Sequence, residues 1–278
     1  EMIGQGEFCP AQLGATTMAL RWIIEEFGIE SIGPGDVYLH NDPFSGMNHL
    51  PEHMVVKGVF LDGERVGIVA CIGHMVEVGG LSPGGFPGDA QEVFHEGLRI
   101  PPLKLWDRGE QRDDVLRLLS ANVRQPENFV GDLNAQIGSV LIAARRIHAL
   151  IDRYGADGLT RYAGGILDAT ERRVRQMVRA WPDGVYKGES FVDDDGFGNE
   201  MVPIRATVTI EGDGMTIDLS ESSPQVTGFI NSAYANTRSL AHAAIMYMAP
   251  SDVPKNDGSM RPLRRQMQIV FQDPYGSL

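Results

Sequence analysis

The sequence predicts an α+β fold, with a hairpin-and-loop region and long helices over residues 1–181 and a strand-rich region over residues 182–278. Three observations predict it. Apolar residues recur at spacings of three and four from about residue 113 onward, short β-branched runs bounded by turn residues fall within 37–73 and 184–220, and Gly and Pro crowd 79–90.

In order along the chain, AQLGATTMALRWIIEEFG (residues 11–28) reads as the first helix. Leu13, Met18, Leu20, Ile23 and Ile24 lean to one side, and Gly28 is placed to stop it. Val37–Leu39 reads as a short strand. MVVKGVF and RVGIVACIG then form a hairpin with Asp62 and Gly63 in the turn, and His74 projects from its far end. GGLSPGGFPGDA, residues 79–90, is a loop, because Gly and Pro at this density exclude a helix or a central strand. Between Pro126 and Gly155, the residues Leu133, Ile137, Val140, Leu141, Ala144, His148 and Ile151 share one face of a long helix. A second long helix covers Leu159–Trp181. The strands GVYKGESFV, PIRATVTI and MTIDLS follow, separated by the turns DDDGFGN and EGDG; a helix over Thr237–Met248 and a polar loop over Pro254–Arg261 come next.

At 278 residues and 42% apolar content the chain can build one large or two modest domains. A formal charge of −13 with four lysines argues against nucleic acid, whose phosphates require clustered Lys and Arg. No apolar run reaches the ~18 residues of a membrane span, and no charged-then-apolar leader opens the chain, so a soluble, unexported protein is expected. Cys9 and Cys71 form no CxxC pair, which suits a reducing cytoplasm. GxxxxGK[ST], strand-to-helix GxGxxG and GxSxG are all absent, and Cys71 sits in an apolar run, so neither nucleotide chemistry nor a Ser or Cys nucleophile is expected of this chain alone. The first residue is Glu1 and the last six are DPYGSL, so a fragment of a longer subunit or a shortened one is expected.

The chemistry-bearing residues concentrate between 41 and 97, in NDPFSGMNHLPEHM, GHMVEVGG and DAQEVFHEGLRIPP. His49 and Glu52 are three residues apart, and His74 and Glu77 repeat that spacing. Imidazole nitrogen and carboxylate oxygen suit Zn²⁺ or Mn²⁺, and three protein ligands leave a position open for water or substrate. Pro51 disfavours a helix around Leu50, whereas a polyproline-type segment with three residues per turn would turn His49 and Glu52 to the same side. His49, Glu52 and His74 are therefore the expected metal ligands. His40, His53 and His95 rank behind them, each neighbouring a stronger candidate without a carboxylate of its own at that spacing. Asp42, before Pro43, reads either as an Asx-turn residue or as a proton acceptor. Glu77 and Glu96 read equally as carboxylates that orient a ligating imidazole or as solvated side chains, with a local ion pair to Arg99 the simpler reading of Glu96.

Four segments together resemble one known family: GDVYLHNDPFSGMNHLPEHM at 35–54, GHMVEVGGLSPGGFPGDAQEVFHEGLRIPP at 73–102, GDLNAQIG at 131–138 and NDGSMRP at 256–262. Their order and length resemble the hydantoinase B/oxoprolinase family, which includes the alpha subunits of acetone carboxylases. The resemblance implies a divalent metal, Mn or Zn, on His49, Glu52 and His74. The family often has Asp where this chain has Glu52 and Glu77, a longer carboxylate that shifts the ion. The resemblance also implies a B-type subunit of an ATP-dependent cyclic-amide hydrolase, working with a hydantoinase A-type partner that binds ATP and activates the substrate by phosphorylation. Asp42 or Glu77 would then move a proton. A ketone carboxylase subunit using bicarbonate is the first alternative, and a metal-clipped scaffold subunit the second. Asn231, Asn256 and Arg261 also fall in segments resembling the family, with turn formation an equal reading.

Overall fold

The computed structural model describes residues 1–6, 9–12, 14–250, 253, 256 and 258. Leu13, Arg261, most of the polar loop expected over Pro254–Arg261, and DPYGSL lie outside the described residues. The chain divides into two compact units. One holds Cys9–Arg161 with Ser232–Leu240, and the other holds Tyr162–Asn231 with the described residues from Ala241 onward and those preceding Cys9. The α+β class holds, and every sheet contact is antiparallel.

In the first unit α1 (Ala15–Phe27) starts later than predicted, behind a 3₁₀ turn over Pro10–Gln12, and ends where Gly28 takes φ 78° and donates its N–H to Ile24 O at 2.8 Å. β1 (Val37–His40), β2 (Glu52–Leu61) and β3 (Glu64–His74) follow, with Asp62 at φ 50° and Gly63 at φ 87° forming the predicted hairpin turn. The single helical turn α2 (Val93–Glu96) then leads to β4 (Leu103–Asp107) and β5 (Glu110–Gln111), neither of them predicted. The sheet order is β3-β2-β1-β4-β5. α3 (Asp113–Ala121) precedes α4 (Pro126–Tyr154), which carries Pro at its first turn and Gly155 as its stop, as the sequence indicates.

Side-chain alternation explains how this sheet carries a site. Val37, Leu39 and Val55 face the α4 side and join Phe129, Leu133, Ile137 and Val140 in one core; Tyr38, Met54 and Val56 face the α1 side and join Ala19 and Ile23 in another. With both faces covered, β2 reads as a nearly continuous buried run. Each large apolar side chain buried here contributes roughly 1.5–3 kcal/mol.

In the second unit β6 (Gly184–Asp194), β7 (Glu200–Glu211) and β8 (Gly214–Asp218) form a meander in that order. Val174 and Val178 from the C-terminal part of α5 (Ala156–Arg179) and Ile245 from the C-terminal part of α6 (Tyr234–Met248) pack on Ile210, Met215 and Ile217. Asn231 accepts from Val226 N and donates to Gly228 O, while the buried Asn256 donates to Thr170 Oγ1; both organise loops. Among the described residues no helix is long and apolar enough to cross a membrane.

Candidate functional site

Glu52 opens β2 and His74 closes β3, and the two are direct cross-strand partners. Period-two alternation puts both on the α1 face, beside Met54 and Ile72. His49 arrives from a turn in which Glu52 N–H donates to His49 O at 3.1 Å, so the expected polyproline geometry is corrected to a tight i, i+3 turn. Turn closure serves the same purpose, because His49 Nε2 lies 3.7 Å from Glu52 Oε1 and the His49 and His74 ring centroids lie 4.9 Å apart.

The Glu52 carboxylate is buried. Gln12 Nε2 donates to one oxygen at 3.0 Å and Asn48 Nδ2 to the other at 2.8 Å. Burial is the largest influence on this carboxyl and acts to raise its pKa, yet hydrogen bonds from His49, Gln12 and Asn48 outweigh it and hold the pKa low. Burial lowers the pKa of His74, and the neighbouring His49 lowers it further. His74 Nδ1 lies 3.1 Å from Met75 O; a proton there leaves the Nε2 lone pair available.

The donor types at this site are ones that metal ions use. Glu52 is a buried carboxylate whose one ion-pair partner among the described residues is an imidazole, and buried charges are stabilised by pairing or by coordination. Two imidazoles and a carboxylate suit a borderline divalent ion. Among the described residues, however, no group of three or more His, Cys, Asp or Glu side chains stands in a formed ligand cluster.

The rival histidines lie elsewhere. His53 follows Glu52 and so turns to the α4 face, edge-on to Phe129, where burial lowers its pKa to about 4. His40 is buried with its ring nitrogens 3.3 Å from Ile100 O and 2.8 Å from Ser45 O. His95 pairs with Glu92 at 3.3 Å.

Asp42 accepts from Phe44 N at 3.0 Å, the Asx turn weighed for it, and its other oxygen lies 3.5 Å from Arg99 Nε. The ion pair expected between Glu96 and Arg99 is thereby corrected: Arg99 turns to Asp42, and burial raises the pKa of Glu96. Glu77 is buried and accepts from Gly79 N at 2.7 Å and from Arg124 Nη1 at 2.8 Å, and it also takes the Arg124 backbone N–H. Burial acts to raise its pKa, but these donors lower it overall.

Sequence reasoning missed Gln12, Asn48, Arg124 and Phe86. The Phe86 ring stacks on His74 with centroids 5.6 Å apart and planes 11° apart, and lies 5.5 Å from the His49 ring. Its signal was a lone large aromatic in PGGFPG, where Gly and Pro otherwise leave nothing to pack.

Residues 1–269 match the sequence pattern of hydantoinase B/oxoprolinase. The chain belongs to the hydantoinase B/oxoprolinase family. Within it, the chain is 40% identical over 261 residues to caprolactamase subunit beta from Pseudomonas jessenii, an alignment covering 94% of this chain and 45% of that one. It is 33% identical over 210 residues to the acetophenone carboxylase delta subunit from Aromatoleum aromaticum, covering 75% and 31%. The crystal structure of ATP-dependent caprolactamase from Pseudomonas jessenii superposes with a TM-score of 0.90 at 36% identity, covering 100% of this chain and 48% of the other. This hydantoinase B/oxoprolinase chain thus spans under half the length of these relatives.

Proposed function

We propose that this chain is the metal-bearing part of a B-type subunit of an ATP-dependent cyclic-amide hydrolase, with His49, Glu52 and His74 holding a divalent Mn or Zn ion. The observation that carries it is the meeting of these three side chains at the open end of the β2–β3 hairpin, in a chain 40% identical to a caprolactamase beta subunit. When bound, the ion would supply Lewis acidity and lower the pKa of a bound water. The chain's own residues bind and orient. The Glu52 charge is fixed by Gln12 and Asn48, and Met75 O sets the His74 tautomer. Asp42 and Glu77 were the carboxylates expected to move a proton; their contacts to Arg99 and Arg124 support positioning roles instead. A hydantoinase A-type partner would bind ATP and activate a small cyclic amide by phosphorylation, in the cytoplasm.

The test is elemental mass spectrometry of purified chain beside His49→Ala and His74→Ala variants of equal folded content. Near-stoichiometric metal lost in both variants is expected, whereas unchanged metal, or none in the wild type, overturns the ligand set. The 33% identity to an acetophenone carboxylase subunit favours one second reading, ketone carboxylation. Turnover that requires bicarbonate, in the presence of ATP and the partner, would select it.

A further inference from the structure

Among the described residues, Arg99 is a cation set against two aromatic faces at once. Its guanidinium carbon lies 5.6 Å from the Phe44 ring centroid and 5.7 Å from that of Phe94. Both rings are large apolar groups left open, at 48% and 65% exposure. Rings on two sides restrict the rotamers of a long side chain and keep its charge available, so little entropy is left to lose on binding.

The backbone around Arg99 is equally fixed. Asn41 Nδ2 donates to Leu98 O at 2.9 Å, and Ile100 N donates to Asn41 Oδ1 at 2.6 Å. The same Asn41 amide donates to Leu50 O at 2.7 Å, so one buried side chain ties the flanks of Arg99 to the residue beside His49. From the same segment, Glu96 lies close enough to His49 to feel its charge.

Neutralising Asp42 does not account for this arrangement. An arginine committed to a carboxylate frequently presents two parallel N–H groups at about 2.7–2.9 Å. Here the closest approach is Nε to Asp42 Oδ2 at 3.5 Å, and neither terminal amino group has a hydrogen-bond partner among the described residues. Nε is turned inward and the Nη pair is left as a planar double donor. That geometry matches two coplanar oxygens.

We propose that Arg99, clamped by Phe44 and Phe94 and tethered to Asp42, is a specificity-determining residue that binds an oxyanion of the substrate, either a carboxylate or a phosphoryl group. This rests on the reading of the His49, Glu52 and His74 neighbourhood as the reaction site. The apolar part of the same molecule lies along the exposed rings.

The test uses the full chain stripped of metal with a chelator and titrated calorimetrically with inorganic phosphate and, separately, with acetate. Saturable binding of at least one anion is expected. Arg99→Gln should weaken it at least tenfold, and Arg99→Lys severalfold, because the charge survives and the fork does not. Tighter binding of phosphate assigns the oxyanion to a phosphoryl group, and tighter binding of acetate to a carboxylate. Should Arg99→Gln fail to fold, Phe94→Ala, on an exposed ring, reads the same clamp through a severalfold loss. The proposal is overturned by equal affinity in wild type and Arg99→Gln, by no Phe94 effect where that variant must stand in, or by no saturable binding of either anion. Binding lost in His49→Ala but kept in Arg99→Gln also overturns it while leaving the metal reading intact. Arg99-dependent binding in a chain that takes up no metal sustains the proposal and removes the metal.

Discussion

Glu52 and His74 face each other as the last cross-strand pair of the β2–β3 ladder. The site therefore depends on hairpin register. A slip of one residue would pair Glu52 with Gly73 and leave Glu52 and His74 on opposite faces of the sheet. Register at the site is set jointly by the Asp62-Gly63 turn, whose positive φ angles suit the twist of the strands, and by the irregularity between Val59 and Phe60, where the pairing shifts by one residue. Turn and register shift together thus position the donors at the far end of both strands.

Replacing Glu77 with Gln should loosen the start of the glycine-rich loop. The neutral amide keeps the shape but loses the charge that takes N–H groups from Gly79 and Arg124. A loss of about 1–3 kcal/mol in urea unfolding is expected. Linkage gives the sign with pH. Folding depresses the Glu77 carboxyl below its ordinary value of 4.5, so its contribution is fully present above that value and fades as pH falls through the folded pKa. Glu77→Gln should therefore destabilise most at neutral pH and least in acid; a pH-independent difference would remove the carboxylate from the account.

Gly80 allows the same loop to lie close to α2. It holds φ 82°, and a methyl group there would stand 2.5 Å from His95 O. Both strain and clash follow from Gly80→Ala, and a cost of at least ~1 kcal/mol is expected. Faster amide hydrogen exchange confined to 79–98, with the β1–β2 ladder unchanged, is the readout.

Thiol reactivity should separate the two cysteines. Cys9 is exposed, whereas Cys71 lies half-buried on β3, where burial raises its pKa. A disulfide reagent at neutral pH should titrate one thiol quickly and the second much more slowly, with Cys71→Ser abolishing the slow phase. Two equally fast thiols would contradict the packing of β3.

The helices and hairpins were legible because their signals are local. Apolar spacing along 126–154 and the Asp62-Gly63 turn need only neighbouring residues. β4 and β5 were not: LKLWD and the pair Glu110–Gln111 are short, and they become strands only because Val37–Leu39 offers β4 a ladder. The site was partly legible for the same reason. His49 and Glu52 are sequence neighbours, whereas the donors that fix Glu52 include Gln12, 40 residues away, and the partner of Glu77 is 47 residues away at Arg124. Spacing does not reveal such partners.

Phe86 covers the imidazoles that the metal reading requires. Its ring stacks on His74 and borders His49 but is 55% exposed, so it contributes little to either core. Phe86→Ala should change stability by no more than about 0.5 kcal/mol, as surface substitutions do. The same change uncovers His74, whose lowered pKa keeps it neutral and nucleophilic near pH 7. Carbethoxylation of His74, followed by peptide mass spectrometry on metal-free chain, should therefore accelerate severalfold in Phe86→Ala, while His53, buried on the opposite face of the sheet, stays unmodified in both proteins. Equal rates at His74 would mean the ring does not shield it in solution. Modification of His53 at a comparable rate would mean the hairpin register, and with it the pairing of Glu52 with His74, is not the one described.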